Sequence, residues 1–116
     1  MNRILHLPLK AKWYEMIESR VKTEEYREIK PYWMKRFAKL VPARYKAMWN
    51  KCLNKKDYSW FRHKLISTTY DAVQFSYGYT TRTMTFEIDS ITIGQGVSEW
   101  GAPSEDVFII KLGNRI

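Results

Sequence analysis

Lys22, Glu25 and Arg27 stand close together in the sequence, and their side chains suit the recognition of a nucleotide. A lysine is a compact charge for a phosphate or carbonyl oxygen, and an arginine has a planar fork that holds a phosphate or a base edge through two hydrogen bonds. A glutamate accepts from a base amine or keeps the arginine in place. The three residues therefore predict a ligand-binding site. A surface ion pair between Glu25 and Arg27, worth little energetically, is the alternative interpretation.

A ligand cleft of this kind is expected to be open and hydrated in the free protein. Arg27 would then contribute to affinity and little to folding, whereas a structural ion pair predicts the reverse. Trp100, beside Gly101 and Pro103 in a loop, is a further candidate for ligand binding. Its ring suits stacking on a base, although an anchor for the loop is an equally good interpretation.

Residues 30–64 form a second candidate surface, because they are strongly cationic and rich in aromatic rings. Eleven of them are Lys or Arg, only Asp57 is acidic, and eight are aromatic, which gives this segment a net charge of +10. Cations neutralise phosphates, and rings stack on unpaired bases without demanding a sequence. The expected nucleic-acid contacts are Lys35, Arg36, Lys39, Arg44, Lys51, Lys55 and Lys56. Aromatic residues at helical spacing also suit a buried core with lysines on its solvated side.

Charge and composition restrict the class of protein. Residues 1–68 carry a net charge of +11 and residues 69–116 carry −3, so the positive charge is regional. A chain of 116 residues with 45% hydrophobic residues suits one globular domain. The single Cys52 excludes an internal disulfide, and His6 and His63 are too far apart in sequence to suggest a metal site. We expect a cytoplasmic protein with no metal, no cofactor and no membrane association.

Apolar periodicity predicts the elements that position the charged residues. A short strand stopped by Pro8 precedes a helix over 10–20, whose apolar face contains Trp13, Met16 and Ile17. A strand over 23–29 then carries Glu25 and Arg27 on one side. Helices follow from Pro31 and over 43–53, and a further short helix begins near Asp57. Later strands cover 72–77, 83–93 and 107–112, and the apolar phase of the second of these slips at residues 89–90.

Residues 20–27 resemble the signature of the ASCH domain family, Gly-x-Lys-x-x-Glu-x-Arg. Lys22, Glu25 and Arg27 occupy the matching places, and Arg20 stands where the family usually has glycine. The resemblance implies an α+β fold, a small PUA-like β-barrel of about five strands with helices inserted between the second and third strands. It also implies one domain over 1–116, a charged motif at the edge of a cleft, and an RNA-associated role. The basic aromatic helices at about 41–68 would be an insertion in that domain.

Some small proteins that resemble this family hydrolyse the amide of an acylated cytidine, with a lysine, a threonine three positions later and a distant glutamate. Lys22 matches the lysine, but Glu25 occupies the threonine position. In a hydrolase, Lys22 and Glu25 would be catalytic, with Glu87 as a second candidate base. We expect a binding module for RNA or another single-stranded nucleic acid, and a nucleoside amidohydrolase is the alternative. A protein-interaction adaptor would explain the rings but not the charge.

Overall fold

The computed structural model of this chain describes residues 3–37, 43–62, 65–67 and 70–116, with 65–67 described by its backbone. Its strands are β1 (Ile4–Leu9), β2 (Glu24–Glu28), β3 (Leu65–Ser67), β4 (Ala72–Tyr77), β5 (Thr83–Gly94) and β6 (Val107–Arg115). Its α-helices are α1 (Ala11–Glu18), α2 (Pro31–Phe37) and α3 (Lys46–Lys55). Five strands form a mixed sheet in the order β1-β4-β5-β6-β2, and β3 pairs with β5. The sheet curls into a half-barrel, which confirms the predicted α+β class and barrel-like shape.

The first strand is an edge strand that runs parallel to β4, whereas the other described strand pairs are antiparallel. Leu5, Leu7 and Leu9 are buried and alternate with exposed residues, as the sequence predicts. The expected stop at Pro8 is wrong, because the strand continues to Leu9 with Pro8 opposite Ser76. A proline is tolerated on an edge strand, where one side of the backbone needs no partner.

The long strand β5 bends in its middle and so joins two parts of the curled sheet. Met84 and Phe86 are buried in its first half, and Ile91 and Ile93 are buried in its second half. The pairing with β6 shifts register between Phe86 and Ser90, which confirms the predicted change of phase at residues 89–90. Such a bulge lets one strand turn a corner and keep apolar side chains on the inner face in both halves.

The first helix packs on β4 with a different face from the one predicted. Tyr14 and Ile17 are buried, and the Tyr14 ring lies edge-on to Tyr77 at 5.2 Å between centroids. Trp13, expected in the apolar face, is only half-buried. The apolar residues from Trp13 to Ile17 cover only about one and a half helical turns, so their spacing predicts the buried face to within one position. In the structure, Tyr14 occupies the core position that was predicted for Trp13.

Aromatic residues between β2 and β3 attach α2 and α3 to the sheet. Phe37 is fully buried, and its ring centroid is 5.0 Å from that of Phe108. The ring centroids of Trp49 and Phe61 are 5.3 Å apart. The helices therefore lie between the second and third strands, as predicted, and these rings belong to the core. Only Tyr32 and Trp60 among the eight aromatic residues of this segment are largely exposed, at 55% and 38%. No helix in the described part of the chain is both long and apolar enough to cross a bilayer.

Replacing Phe37 tests whether α2 is fixed to the sheet through this contact. Because Phe37 is fully buried, we expect Phe37→Ala to lower the free energy of unfolding by about 3–5 kcal/mol. Tyr79→Ala is the control, since Tyr79 is 97% exposed and its loss should change stability by about 0.5 kcal/mol or less. Urea unfolding followed by tryptophan fluorescence measures both. Equal stability losses in the two variants would contradict this packing.

Candidate functional site

A tight turn between α1 and β2 carries the first residue of the charged motif. The amide of Lys22 donates to the Met16 carbonyl at 3.0 Å, and Arg20 has a φ of +67°. This is the left-handed region that glycine occupies most easily, and it is the place where the resembled signature has glycine. The Arg20 guanidinium donates to the Gly113 carbonyl at 3.2 Å and lies 5.0 Å from the centre of the Phe86 ring. These contacts help to hold a non-glycine residue in that conformation.

Lys22 is almost completely buried, with 1% of its surface exposed. Its ammonium is 2.9 Å from Glu25 Oε1 and donates to the backbone carbonyl of Trp100. The same ammonium lies over the rings of Trp13 and Tyr26, at 4.5 and 5.2 Å from their centroids. Burial lowers the pKa of Lys22 below its ordinary value of 10.5, and the Glu25 carboxylate opposes that change.

The Glu25 carboxylate joins two cations and one backbone amide. Oε1 accepts from Lys22 and from the Tyr26 amide, at 2.9 and 3.0 Å, and Oε2 lies 3.2 Å from an Arg27 nitrogen. Glu25 is 5% exposed, so these partners replace water around the charge. Both oxygens therefore have partners within the protein, and the carboxylate holds Lys22, Arg27 and the Tyr26 amide together.

Arg27 is the least buried member of the motif, with 17% of its side chain exposed. One of its terminal nitrogens, Nη1, lies near Glu25 and donates to the Tyr26 carbonyl at 2.7 Å. Within the described residues, Nε and Nη2 donate no hydrogen bond to the protein. The guanidinium also lies 5.2 Å from the centre of the Trp33 ring. Arg27 is therefore held at one corner, and the rest of its fork is available to a ligand.

Tyr26 and the loop after β5 pack beside the motif. The Tyr26 hydroxyl donates to Glu24 at 2.8 Å and accepts from the Val97 amide at 3.0 Å. Burial raises the pKa of this hydroxyl above its ordinary value. Gly101 has a φ of +95°, and a Cβ there would lie 2.8 Å from the Trp13 ring. Only glycine lets the loop pack so closely on Trp13.

Two adjoining clefts open beside these residues. The motif cleft has a volume of about 240 Å³ and is lined by Pro8, Leu9, Lys10, Trp13, Lys22, Glu25, Tyr26, Arg27, Trp100 and Gly101. The Trp33 cleft has a volume of about 400 Å³ and is lined by Tyr26, Arg27, Glu28, Lys30, Trp33, Gly101, Pro103 and Val107. Tyr26, Arg27 and Gly101 belong to both linings. Arg27 thus stands at the boundary between the two clefts.

The predicted motif residues meet at one site, but the expectation of an open, hydrated cluster is wrong for two of them. Lys22 and Glu25 are buried and paired, because neither charge would be stable away from water without the other. Trp100 lines the cleft as expected, and it also contributes its backbone carbonyl. Trp13 lines the cleft without having been predicted to do so, since its spacing indicated a core position. Glu87 is exposed on β5 and does not line either cleft.

The cations expected on the helices lie apart from the motif cleft. Lys35, Arg44, Lys51, Lys55 and Lys56 are exposed, and Arg36 is half-buried over the rings of Tyr32 and Trp33. Lys39 lies outside the described residues. An acidic cleft of about 470 Å³, whose lining includes Glu28, Lys56, Asp57, Glu105 and Asp106, lies next to the Trp33 cleft and shares Glu28 with it. Lys51 and Lys55 line another cleft beyond, which shares Asp57 with the acidic cleft.

Comparisons with protein-family models, with curated proteins and with solved structures find no match to this chain. Among the residues that the structure describes, no group of three or more His, Cys, Asp or Glu side chains is arranged to hold a metal ion.

Removing the central carboxylate tests the charge balance of the motif. Glu25→Gln would leave two cations close together with no anion between them, and we expect a loss of about 3–5 kcal/mol in the free energy of unfolding. Glu87→Gln is the matched control, since that carboxylate is exposed and its loss should change stability by about 0.5 kcal/mol or less. Chemical denaturation near neutral pH gives both values.

The loss caused by Glu25→Gln should become smaller as the pH rises toward 10.5, the ordinary pKa of lysine. The pKa of Lys22 is lower in the folded protein, so the unfolded chain binds more protons between the two pKa values and stability from this group rises with pH there. Without Glu25 the folded pKa falls further and this interval widens. The double variant Lys22→Met/Glu25→Gln should lack the effect. A loss that is the same at every pH would contradict the role of Glu25.

Proposed function

We propose that this protein binds RNA or another single-stranded nucleic acid, and that the motif cleft receives a nucleotide. The proposal rests on the contacts that the Arg27 guanidinium makes. Its guanidinium is held by Glu25 and the Tyr26 carbonyl through one nitrogen, the remaining donors have no partner among the described residues, and Arg27 lines two adjoining clefts. A fixed cation with free donors is a binding group for phosphate or for a base edge, and its preorganised position reduces the entropy lost on binding.

Each neighbour of Arg27 has a role in this proposal. The Lys22–Glu25 pair supports Arg27 from the buried side, and Lys22 holds the Trp100 loop through its carbonyl. Trp13 and Trp100 line the cleft and supply rings against which a base or ribose can pack. The cations on α2 and α3 add a favourable field for a polyanion, consistent with the net charge of +10 over residues 30–64.

The resemblance to the ASCH signature supports the same proposal. The three matching residues meet at a cleft edge, and Arg20, in the place of the family's glycine, adopts the left-handed conformation that glycine favours. The curled half-barrel with helices between its second and third strands is compatible with a PUA-like architecture. We therefore propose a single ASCH-like, PUA-like domain in which the basic aromatic helices are an elaboration.

Binding should depend steeply on salt. Each phosphate contact to a single strand contributes about −0.7 to the slope of log affinity against log salt concentration, because condensed counterions are released. We expect a fluorescent oligouridylate to bind with little preference over other unstructured sequences and to weaken markedly between about 50 and 200 mM salt. Fluorescence anisotropy measures this. An affinity that does not change over that range would contradict the proposal.

Arg27→Ala should weaken oligonucleotide binding by about 1–3 kcal/mol, the usual contribution of a charge-assisted hydrogen bond. Stability should fall by only about 1 kcal/mol, because Glu25 keeps Lys22 and the Tyr26 amide as partners. Arg115→Ala is the control, since it removes the same charge from the far end of β6 and should leave affinity almost unchanged. A large loss of stability with unaltered affinity would assign Arg27 to the scaffold.

Hydrolysis of an acylated cytidine is a second candidate, favoured by the lowered pKa of Lys22 at the edge of a cleft. Two observations oppose it. Both Glu25 oxygens already have partners, and the described residues that line the motif cleft include no serine or threonine. We expect no free acid to be released from an acylated cytidine. Turnover that disappears in Lys22→Ala, measured by chromatography of the products, would place the protein among the enzymes.

A further inference from the structure

We infer that a bound strand leaves the motif cleft across Trp33 onto α2, and that it does not run over the lysines of α3. This inference rests on the proposed function, because it concerns the path of a strand whose first nucleotide occupies the motif cleft. The two groups of cations look equivalent in the sequence. Their surroundings in the structure are not equivalent.

The path begins at Arg27, which borders both the motif cleft and the Trp33 cleft. A phosphate bound by the free part of its guanidinium has space for a nucleoside on either side. Lys30 lines the Trp33 cleft and provides a cation for the following phosphate. In the Trp33 cleft two cations, Arg27 and Lys30, outweigh the single Glu28 carboxylate, so the site stays positive from one cleft into the next.

Trp33 lines this cleft and is itself a residue of α2. Two guanidinium groups lie near its ring: that of Arg27 at 5.2 Å and that of Arg36 at 5.9 Å from the centroid. Arg36 also lies 5.1 Å from the centre of the Tyr32 ring, which is 55% exposed. Arginine planes and exposed rings are the surfaces on which unpaired bases stack, so α2 offers both stacking and phosphate contacts.

The acidic cleft lies between the Trp33 cleft and the lysines of α3. Four carboxylates line it, those of Glu28, Asp57, Glu105 and Asp106, against the single lysine Lys56. Arg62 is 3.0 Å from Asp106 and balances one of them. Lys51 and Lys55 lie beyond, in a cleft that also contains Asp57. Phosphates that passed this way would meet uncompensated negative charge, which disfavours the route toward α3.

Two matched double variants test the path, and each removes two positive charges. Lys30→Gln/Arg36→Gln alters the proposed route, and Lys51→Gln/Lys55→Gln alters α3. The probes are tetrauridylate and uridine 5′-monophosphate, in buffer of moderate salt. We expect the first variant to weaken tetrauridylate binding by about tenfold or more and to reduce the salt slope by about 1.4, as two lost phosphate contacts require. The second variant should change the affinity by about twofold or less, since distant charges are screened.

Binding of uridine 5′-monophosphate reports on the motif cleft: Lys51→Gln/Lys55→Gln should leave it unaltered, and Lys30→Gln/Arg36→Gln should weaken it much less than it weakens tetrauridylate binding. Equal losses of tetrauridylate affinity in the two double variants, or a greater loss in the α3 variant, would overturn the inference. The proposed function would survive that result, provided that Arg27→Ala still weakened binding by about 1–3 kcal/mol. If the unaltered protein bound neither probe, the inference and the proposed function would both fail.

Neutralising the acidic cleft provides an independent test. Asp57→Asn/Glu105→Gln removes two exposed carboxylates that line the acidic cleft and not the Trp33 cleft, so a longer oligouridylate should gain affinity severalfold and become sensitive to Lys51→Gln/Lys55→Gln in the same background. Thermal unfolding checks that the variant is folded. An unchanged affinity for the longer strand would show that these carboxylates do not direct its path.

Discussion

The Glu25 carboxylate is the group on which the rest of the site depends. It is buried, and it is shared between Lys22, which is also buried, and Arg27, which is partly exposed. A charge that is removed from water is tolerated only when its partners are close and well oriented, so this one carboxylate determines where both cations lie. Lys22 in turn holds the Trp100 loop, and Arg27 is turned toward the two clefts. The scaffold and the binding surface are thus parts of the same ion-pair network.

This arrangement answers the question that the motif raises in the sequence. A structural ion pair and a ligand cleft appear there as alternatives, but in the structure the pairing divides the three residues, all of which line one cleft. Lys22 and Glu25 form the structural pair, and Arg27 retains free donors among the described residues. Two cations in excess of the buried pair, Arg27 and Lys10, give the cleft a net positive charge without an unpaired charge in the core. The division also explains why losing the anion should be far more damaging than losing Arg27.

Much of the fold follows from local sequence signals. Alternating leucines predicted β1, and the change of apolar phase at residues 89–90 predicted the bend in β5. The sequence signals predicted the wrong structure where contacts between elements determine it. Pro8 stays in a strand because that strand is at the edge, and Tyr14 replaces Trp13 in the core because of how α1 meets β4. The same displacement puts Trp13 into the motif cleft, where periodicity alone did not predict it.

The long-range charge pattern was even less accessible from sequence. Glu28, Asp57 and Glu105 are far apart in the chain, and only folding brings them to one cleft between two groups of cations. Net charge per segment indicates an attraction for polyanions, but it contains no information on which cations share a continuous surface. That information comes from the residues that neighbouring clefts have in common.

The five tryptophans provide the most direct test of the central claim, that ligand binds at Arg27 between the motif cleft and the Trp33 cleft. Trp13, Trp33 and Trp100 line these clefts, whereas Trp49 and Trp60 lie on the far side of the acidic cleft, around α3. Indole N–H signals of ¹⁵N-labelled protein can be followed during titration with tetrauridylate. We predict that the signals of Trp13, Trp33 and Trp100 shift while those of Trp49 and Trp60 stay in place. Shifts confined to Trp49 and Trp60 would contradict the account.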